Sequence, residues 1–140
     1  MENEKALQRA CITYLRANKR VLFCHVPNEI TIPTKQPQNY ALRNFRYQQG
    51  VSKGVPDLLI FNCNQNFNGL AIELKAKRNK PTPAQLLWLE QLNNQGWFAC
   101  WANNFDTFVK LVEAYLNTPN TLLQIHNNLK NNQYLYLEKN

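Results

Sequence analysis

Two apolar runs, "DLLIFN" starting at Asp57 and "LAIELK" starting at Leu70, flank an Asn-rich stretch, and each carries charge where a buried strand tolerates little. Their length and bounding turn residues predict the two strands of a hairpin. With the turn centred on Gln65, Asp57 falls opposite Glu73, side chains on one face and Cβ atoms about 5 Å apart. Like charges so placed destabilise a sheet, and a divalent cation between them reverses the sign of the interaction. Lys75 projects from the same face about 7 Å further along. A slip of one residue abolishes the pairing. The competing arrangement puts Asp57 in a turn behind Pro56 and leaves Glu73 and Lys75 as an ordinary pair on a solvated strand face.

The remaining pattern fits an α/β chain. Leu7, Ala10, Cys11, Tyr14 and Leu15 recur at helical spacing within residues 4–16. "RVLFCHV" reads as a strand ending at Pro27. Pro33 and Pro37 break the next segment, and "NYALRNFRYQQ" predicts a helix stopped by Gly50. In "PTPAQLLWLEQLNNQG" both helix ends are marked: Thr82 as N-cap, Pro83 at the first position, Gln85 completing a capping box, and Gly96 beyond the C-terminus. "WFACW" predicts a short strand and "FDTFVKLVEAYL" a last amphipathic helix capped by Asp106. The polar tail, 117–140, holds a weakly helical "TLLQIHNNL" and an alternating "YLYLE" suited to an edge strand. No internal repeat is present. This order of elements describes a single mixed sheet flanked by helices.

With 140 residues, a single domain buries about 68–70% of its unfolded surface and needs no staples. Cys11, Cys24, Cys63 and Cys100 stand singly, without the spacing of zinc ligands, and read as reduced core residues of a cytoplasmic protein. No apolar run is long enough to span a bilayer, so no membrane partner is expected. Sixteen Lys and Arg against nine Asp and Glu leave a net charge of +7, which favours a polyanionic partner, nucleic acid first. The excess is densest from Lys35 through Arg43 and Arg46 to Lys53, with no acid after Glu29.

Asp57 and Glu73 suit Mg²⁺, which takes one or two carboxylates and completes its shell with waters and substrate phosphate. Such an ion polarises a scissile phosphate, and Lys75 would orient the attacking water and stabilise the negative transition state.

"GVPDLLI", "IELKAK" and "TPAQLLWLEQLNNQGW", preceded by "EKALQRACITYL" and "HVPNE", resemble in order and separation the virus-type replication-repair nuclease (VRR-NUC) family, a branch of the PD-(D/E)xK nucleases. The resemblance spans residues 4–116, implying a nuclease domain over 1–116 and an extension of unassigned role over 117–140. It implies a restriction-endonuclease-like mixed central sheet flanked by helices, and a Mg²⁺- or Mn²⁺-dependent phosphodiesterase. By the same resemblance, Asp57, Glu73 and the Leu74 backbone carbonyl are metal ligands, Lys75 is the catalytic lysine, and Glu4 binds the metal directly or through water, with Glu2 as its rival. Gln85 matches a family Gln near the active site, with plain capping as the alternative role. Asn28 and Glu29 match positions beside the cleft. His25 reads as a hydrogen-bonded structural residue and Trp88, Trp97 and Trp101 as core. Lys53 is the candidate phosphate contact, with Lys35, Arg43 and Arg46 along the DNA backbone.

Stand-alone members of the family are similar to junction resolvases and tend to be dimeric. The expectation is a homodimeric DNA endonuclease of a phage or mobile element acting on branched DNA. The competing functions are a flap or sequence-preferring nicking nuclease, and a DNA-binding module that has lost catalysis.

Overall fold

The hairpin forms in the expected register: Leu58 pairs with Ile72, Leu59 with Ala71 and Ile60 with Leu70, antiparallel. Asp57 and Glu73 are therefore opposed one step beyond the last paired residues. The computed structural model describes residues 3–27, 44 and 48–129. Along these run α1 (Glu4–Ala17), β1 (Phe23–His25), β2 (Leu58–Ile60), β3 (Leu70–Leu74), α2 (Pro83–Asn94), β4 (Phe98–Ala102), α3 (Phe105–Asn117) and α4 (Pro119–Leu129). The four strands lie in chain order, β1, β2 and β3 antiparallel and β4 parallel to β3. A parallel neighbour requires a crossover, and α2 supplies it.

Every residue of β3 is buried, because both faces of the sheet are covered. Leu70, Ile72 and Leu74 join Leu58, Ile60, the α1 residues Leu7, Cys11 and Leu15, and the α3 residues Phe108, Leu111 and Val112. Each of these large aliphatic side chains contributes about 1.5–3 kcal/mol by leaving water. On the opposite face Ala71 and Ala99 meet Leu89 of α2. Asp57, Glu73 and Lys75 share the parity of Ala71 and so belong to the α2 face.

Several local expectations change. The first strand is shorter than "RVLFCHV", only three residues qualifying as paired. Asn104 rather than Asp106 caps α3, its side chain accepting from the Thr107 N–H, while Asp106 sits in the first turn. α3 is not the last helix, since α4 follows and buries Leu122 in the main core. Cys11 and Cys100 are buried, whereas Cys24 and Cys63 are exposed, and none of the four forms a disulfide among the described residues. Trp97 and Trp101 pack against the α2-side cluster, and Trp88, half-buried, donates its indole N–H to the Lys53 carbonyl at 3.1 Å. The helix expected in "NYALRNFRYQQ" and the strand expected in "YLYLE" lie outside the described residues, apart from 44 and 48–49 of the former.

Gly54 joins the "GVPD" turn to the first turn of α2. Its φ is +90°, and a Cβ there would stand 2.8 Å from the Ala84 carbonyl carbon. Both the conformation and the space demand glycine. Gly54→Ala is expected to destabilise the fold by about 2 kcal/mol or more, read as a lowered urea midpoint at unchanged m-value. A variant as stable as the parent would show that this turn is not docked on α2.

Candidate active site

The carboxylates meet at the C-terminal end of β3, where the first turns of α1 and α2 approach from opposite faces of the sheet. Each helix is capped so as to start at the required place: Asn3 accepts from the Ala6 N–H at 2.8 Å, and Thr82 forms a complete capping box with Gln85. A cleft of about 410 Å³ opens between them, lined by Glu4, Lys5, Gln8, Arg9, His25, Pro27, Asp57, Glu73, Lys75 and Gln85.

Glu73 is only 1% exposed. Its Oε1 takes two donors, the Lys75 ammonium at 2.8 Å and the Gln85 amide Nε2 at 2.6 Å. Its Oε2 is buried with no hydrogen-bond partner among the described residues. Gln85 is held from its other end, since its Oε1 accepts from the Thr82 N–H at 2.8 Å. Asp57 Oδ2 accepts from the Leu74 N–H at 2.8 Å, fastening it across the hairpin. Glu4 completes the group: its Oε2 accepts from the Ala76 N–H at 3.3 Å and its Oε1 lies 3.9 Å from the Lys75 ammonium.

His25 braces this arrangement from β1. Its Nδ1 lies 2.9 Å from the Asp57 carbonyl and its Nε2 3.1 Å from the Gln8 amide nitrogen. With Nδ1 donating to the carbonyl and Nε2 accepting from the amide, both ring nitrogens are engaged in holding the backbone at Asp57. The same Asp57 carbonyl also accepts from the Val26 N–H at 2.8 Å.

A profile of the VRR-NUC domain matches residues 2–106 of the chain. The chain belongs to the VRR-NUC family. Among solved structures it is similar to a VRR_NUC domain protein at 22% identity, with a TM-score of 0.63 over 81% of this chain and 88% of that one. That likeness concerns the fold. Among curated proteins none matches the sequence.

In this VRR-NUC chain, a nuclease-type domain, the electrostatics follow from crowding acids in a buried place. Burial, then the charge of Asp57, pushes the Glu73 carboxyl up to about 7, against the pull of Lys75. Burial also raises Asp57, opposed by the Leu74 N–H and by Lys75. For Lys75 burial acts to lower the pKa, but the hydrogen bond and charge of Glu73, then Glu4 and Asp57, outweigh it and hold the ammonium above its ordinary value. Lys75 is therefore a fixed positive charge at neutral pH, not a proton acceptor. Among the described residues no three His, Cys, Asp or Glu side chains converge as one ligand group. A cation here would rest on Asp57 and Glu73, with the Leu74 carbonyl and non-protein oxygens completing its shell. An all-oxygen donor set with one buried, unpartnered carboxylate oxygen suits Mg²⁺ or Mn²⁺. Glu4, committed to Ala76 and Lys75, would reach such an ion through water.

The structure thus brings together Glu4, Asp57, Glu73, Lys75 and Gln85. Lys53 is exposed beside α2, outside the cleft lining. Glu2, Asn28, Glu29, Lys35, Arg43 and Arg46 lie outside the described residues. Sequence reasoning missed Gln8, whose partner His25 is distant in the chain, and the cleft-lining cations Lys5 and Arg9. Lys5 and Arg9, four residues apart on one helix face beside Glu4, carry a signal in their spacing, whereas nothing in the chain marks Gln8 as the partner of His25.

Because Glu73 binds its proton more tightly folded than unfolded, its ionisation costs stability as pH rises from the ordinary 4.5 through about 7. The loss approaches the order of 3 kcal/mol above pH 7. Lys75, charged throughout that window, contributes a constant amount. Urea unfolding in EDTA should therefore give a stability that declines from pH 5 to 8, and Glu73→Gln should remove most of the decline. A flat profile for the parent would contradict the buried environment assigned to Glu73.

Proposed function

We propose that this nuclease domain is a metal-dependent endodeoxyribonuclease that hydrolyses phosphodiester bonds in branched DNA, with a Holliday-junction-resolvase-like activity exerted by a homodimer. One observation carries the chemistry: Lys75 and Gln85 both engage Glu73 Oε1, leaving Oε2 buried and unsatisfied among the described residues, in a carboxyl that also feels the charge of Asp57. An orphaned carboxylate oxygen at the mouth of a cleft costs stability without a cation to meet it.

Asp57, Glu73 and the Leu74 carbonyl would hold the ion. Bound there, it supplies Lewis acidity to a phosphoryl oxygen and neutralises charge developing on the leaving oxygen. The chain's own residues do the rest. Gln85 fixes the rotamer of Glu73, His25 and the Val26 N–H fix the backbone at Asp57, and the Lys75 ammonium orients an attacking water and stabilises the negative transition state. Lys53 and the basic segment from Lys35 to Arg46 would contact DNA phosphates.

The branched substrate and the dimer are supported by resemblance and by economy. One such site makes one cut, whereas resolving a junction takes two cuts related by approximate two-fold symmetry, which a C₂ dimer provides.

The test is a panel of end-labelled duplex, flap, splayed-arm and four-way-junction DNAs incubated with Mg²⁺ or EDTA. Paired nicks on the junction are expected to outpace duplex cleavage, and EDTA to stop both. Asp57→Ala, Glu73→Ala and Lys75→Ala should each slow cleavage by roughly 10²-fold or more while DNA affinity changes little. Any of the three cutting near the parental rate would dismiss this active site. Light scattering at micromolar concentration should give twice the chain mass. A strict monomer that trims flaps and leaves junctions whole would replace the substrate and assembly while keeping the chemistry.

A further inference from the structure

Two basic segments begin at one place on the cleft rim. Glu4, at the start of α1, touches the Ala76 N–H and approaches the Lys75 ammonium. The chain neighbours of those contact points are Lys5 and Lys77. From Lys5, one turn of α1 leads along the cleft to Arg9, and both side chains are exposed and line it. Their Cβ atoms stand about 5–6 Å apart on one helix face, a spacing on the scale of neighbouring phosphates in a strand. From Lys77 the chain enters a tight turn closed by the Asn79 N–H on the Ala76 carbonyl at 2.8 Å. Lys77 and Arg78 are its two central residues and so point outward, with Lys80 just behind, and all three are exposed.

Neither segment contains an acid after Glu4, and among the described residues none of the five cations has a carboxylate within 4.0 Å. Lys75, by contrast, is buried and held by Glu73. The positive charges are therefore divided: one is fixed inside for the reaction, and five are exposed outside with no carboxylate partner among the described residues. A solvated basic surface is common on small proteins. This one is distinguished by its place: Lys5 and Arg9 line the carboxylate cleft, and the Lys77–Lys80 turn starts where Glu4 meets the Ala76 N–H.

We infer that Lys5 and Arg9 of α1, with Lys77, Arg78 and Lys80 of the β3–α2 loop, form a strip that binds the sugar-phosphate backbone of the DNA strand on the α1 side of the cleft. The inference rests on the nuclease reading and adds where the strand runs. It lies in residues other than Lys53 and the Lys35–Arg46 segment.

The test measures binding of a labelled duplex and a four-way junction by fluorescence anisotropy across a salt series in EDTA, where no cleavage confuses the signal. Each phosphate contact removed flattens the logarithmic salt slope by about 0.9 on duplex DNA. Lys5→Ala/Arg9→Ala should flatten it by about 1.8, and Lys77→Ala/Arg78→Ala/Lys80→Ala by about 2.7, each with a weaker Kd. Lys5→Arg/Arg9→Lys should retain the parental slope. Lys19→Ala/Arg20→Ala, exposed at the far end of α1 about 20 Å away, should change nothing. Melting temperatures of all variants report whether they fold. Slopes of the strip variants equal to the parent's, or an equal loss in the Lys19/Arg20 control, would overturn the inference. If the strip proves silent while Glu73→Ala still abolishes cleavage, the nuclease reading survives alone. If the parent neither binds nor cuts DNA, both fall.

Discussion

A carboxylate in the middle of a fully buried strand is the constraint around which this chain is arranged. Glu73 shares β3 with Leu70, Ala71, Ile72 and Leu74, all withdrawn from water, and a charge there is tolerable only if it is paired and hydrogen-bonded. Lys75 and Gln85 meet one oxygen and leave the other without a partner among the described residues. Much else follows from holding these groups. α1 must begin at Glu4, α2 must begin at Pro83, and the Gly54 turn must lie against Ala84. The apolar layers on the two faces supply the rigidity. Large side chains face α1 and α3, and small ones at Ala71 and Ala99 let α2 come close to the sheet.

The site sits at one end of the two inner strands rather than on the middle of a sheet face, which separates two electrostatic tasks. Inside, burial and then the repulsion of neighbouring acids hold Glu73 well above the usual carboxylate range. In the proposed reaction such a cluster would attract a cation and reject a phosphate. Outside, exposed Lys and Arg provide the opposite field, and a polyanion can be drawn to the rim by long-range attraction before meeting the acids. Neither field alone suits a phosphodiester.

How much of this was legible in the sequence depended on how local each cause is. The hairpin register was readable because the two runs align in only one way that opposes Asp57 and Glu73, even though residues 61–69 separate the paired strands. The start of α2 was readable because its cap, proline and Gln85 fall within four residues. Asn104 and Asp106 are both good N-caps, and the choice between them turns on which side chain reaches the Thr107 N–H, a matter of backbone direction. α4 was faint because its pattern is polar and rich in Asn, and its place is set by Leu122 finding the core. The brace from Gln8 through His25 to the Asp57 carbonyl joins three separate elements and leaves no trace in spacing. The exposed Cys24 and Cys63 looked apolar in context, yet an edge strand and a loop gave them no cover. The run "KAKRNK" was plain to see, but only its first lysine was given a role.

Gln85 carries one consequence for which amino acids its position can accept. At the third residue of a helix, Glu and Gln ordinarily serve a capping box equally well, since either offers an oxygen to the N-cap amide. Here the oxygen is spent on Thr82 and the remaining end of the side chain faces Glu73 Oε1. A glutamate would keep the cap and present a lone pair to a lone pair. The amide is thus a polarity adapter, negative toward the helix and positive toward the sheet, and the two otherwise interchangeable residues become opposites at this one place in the chain.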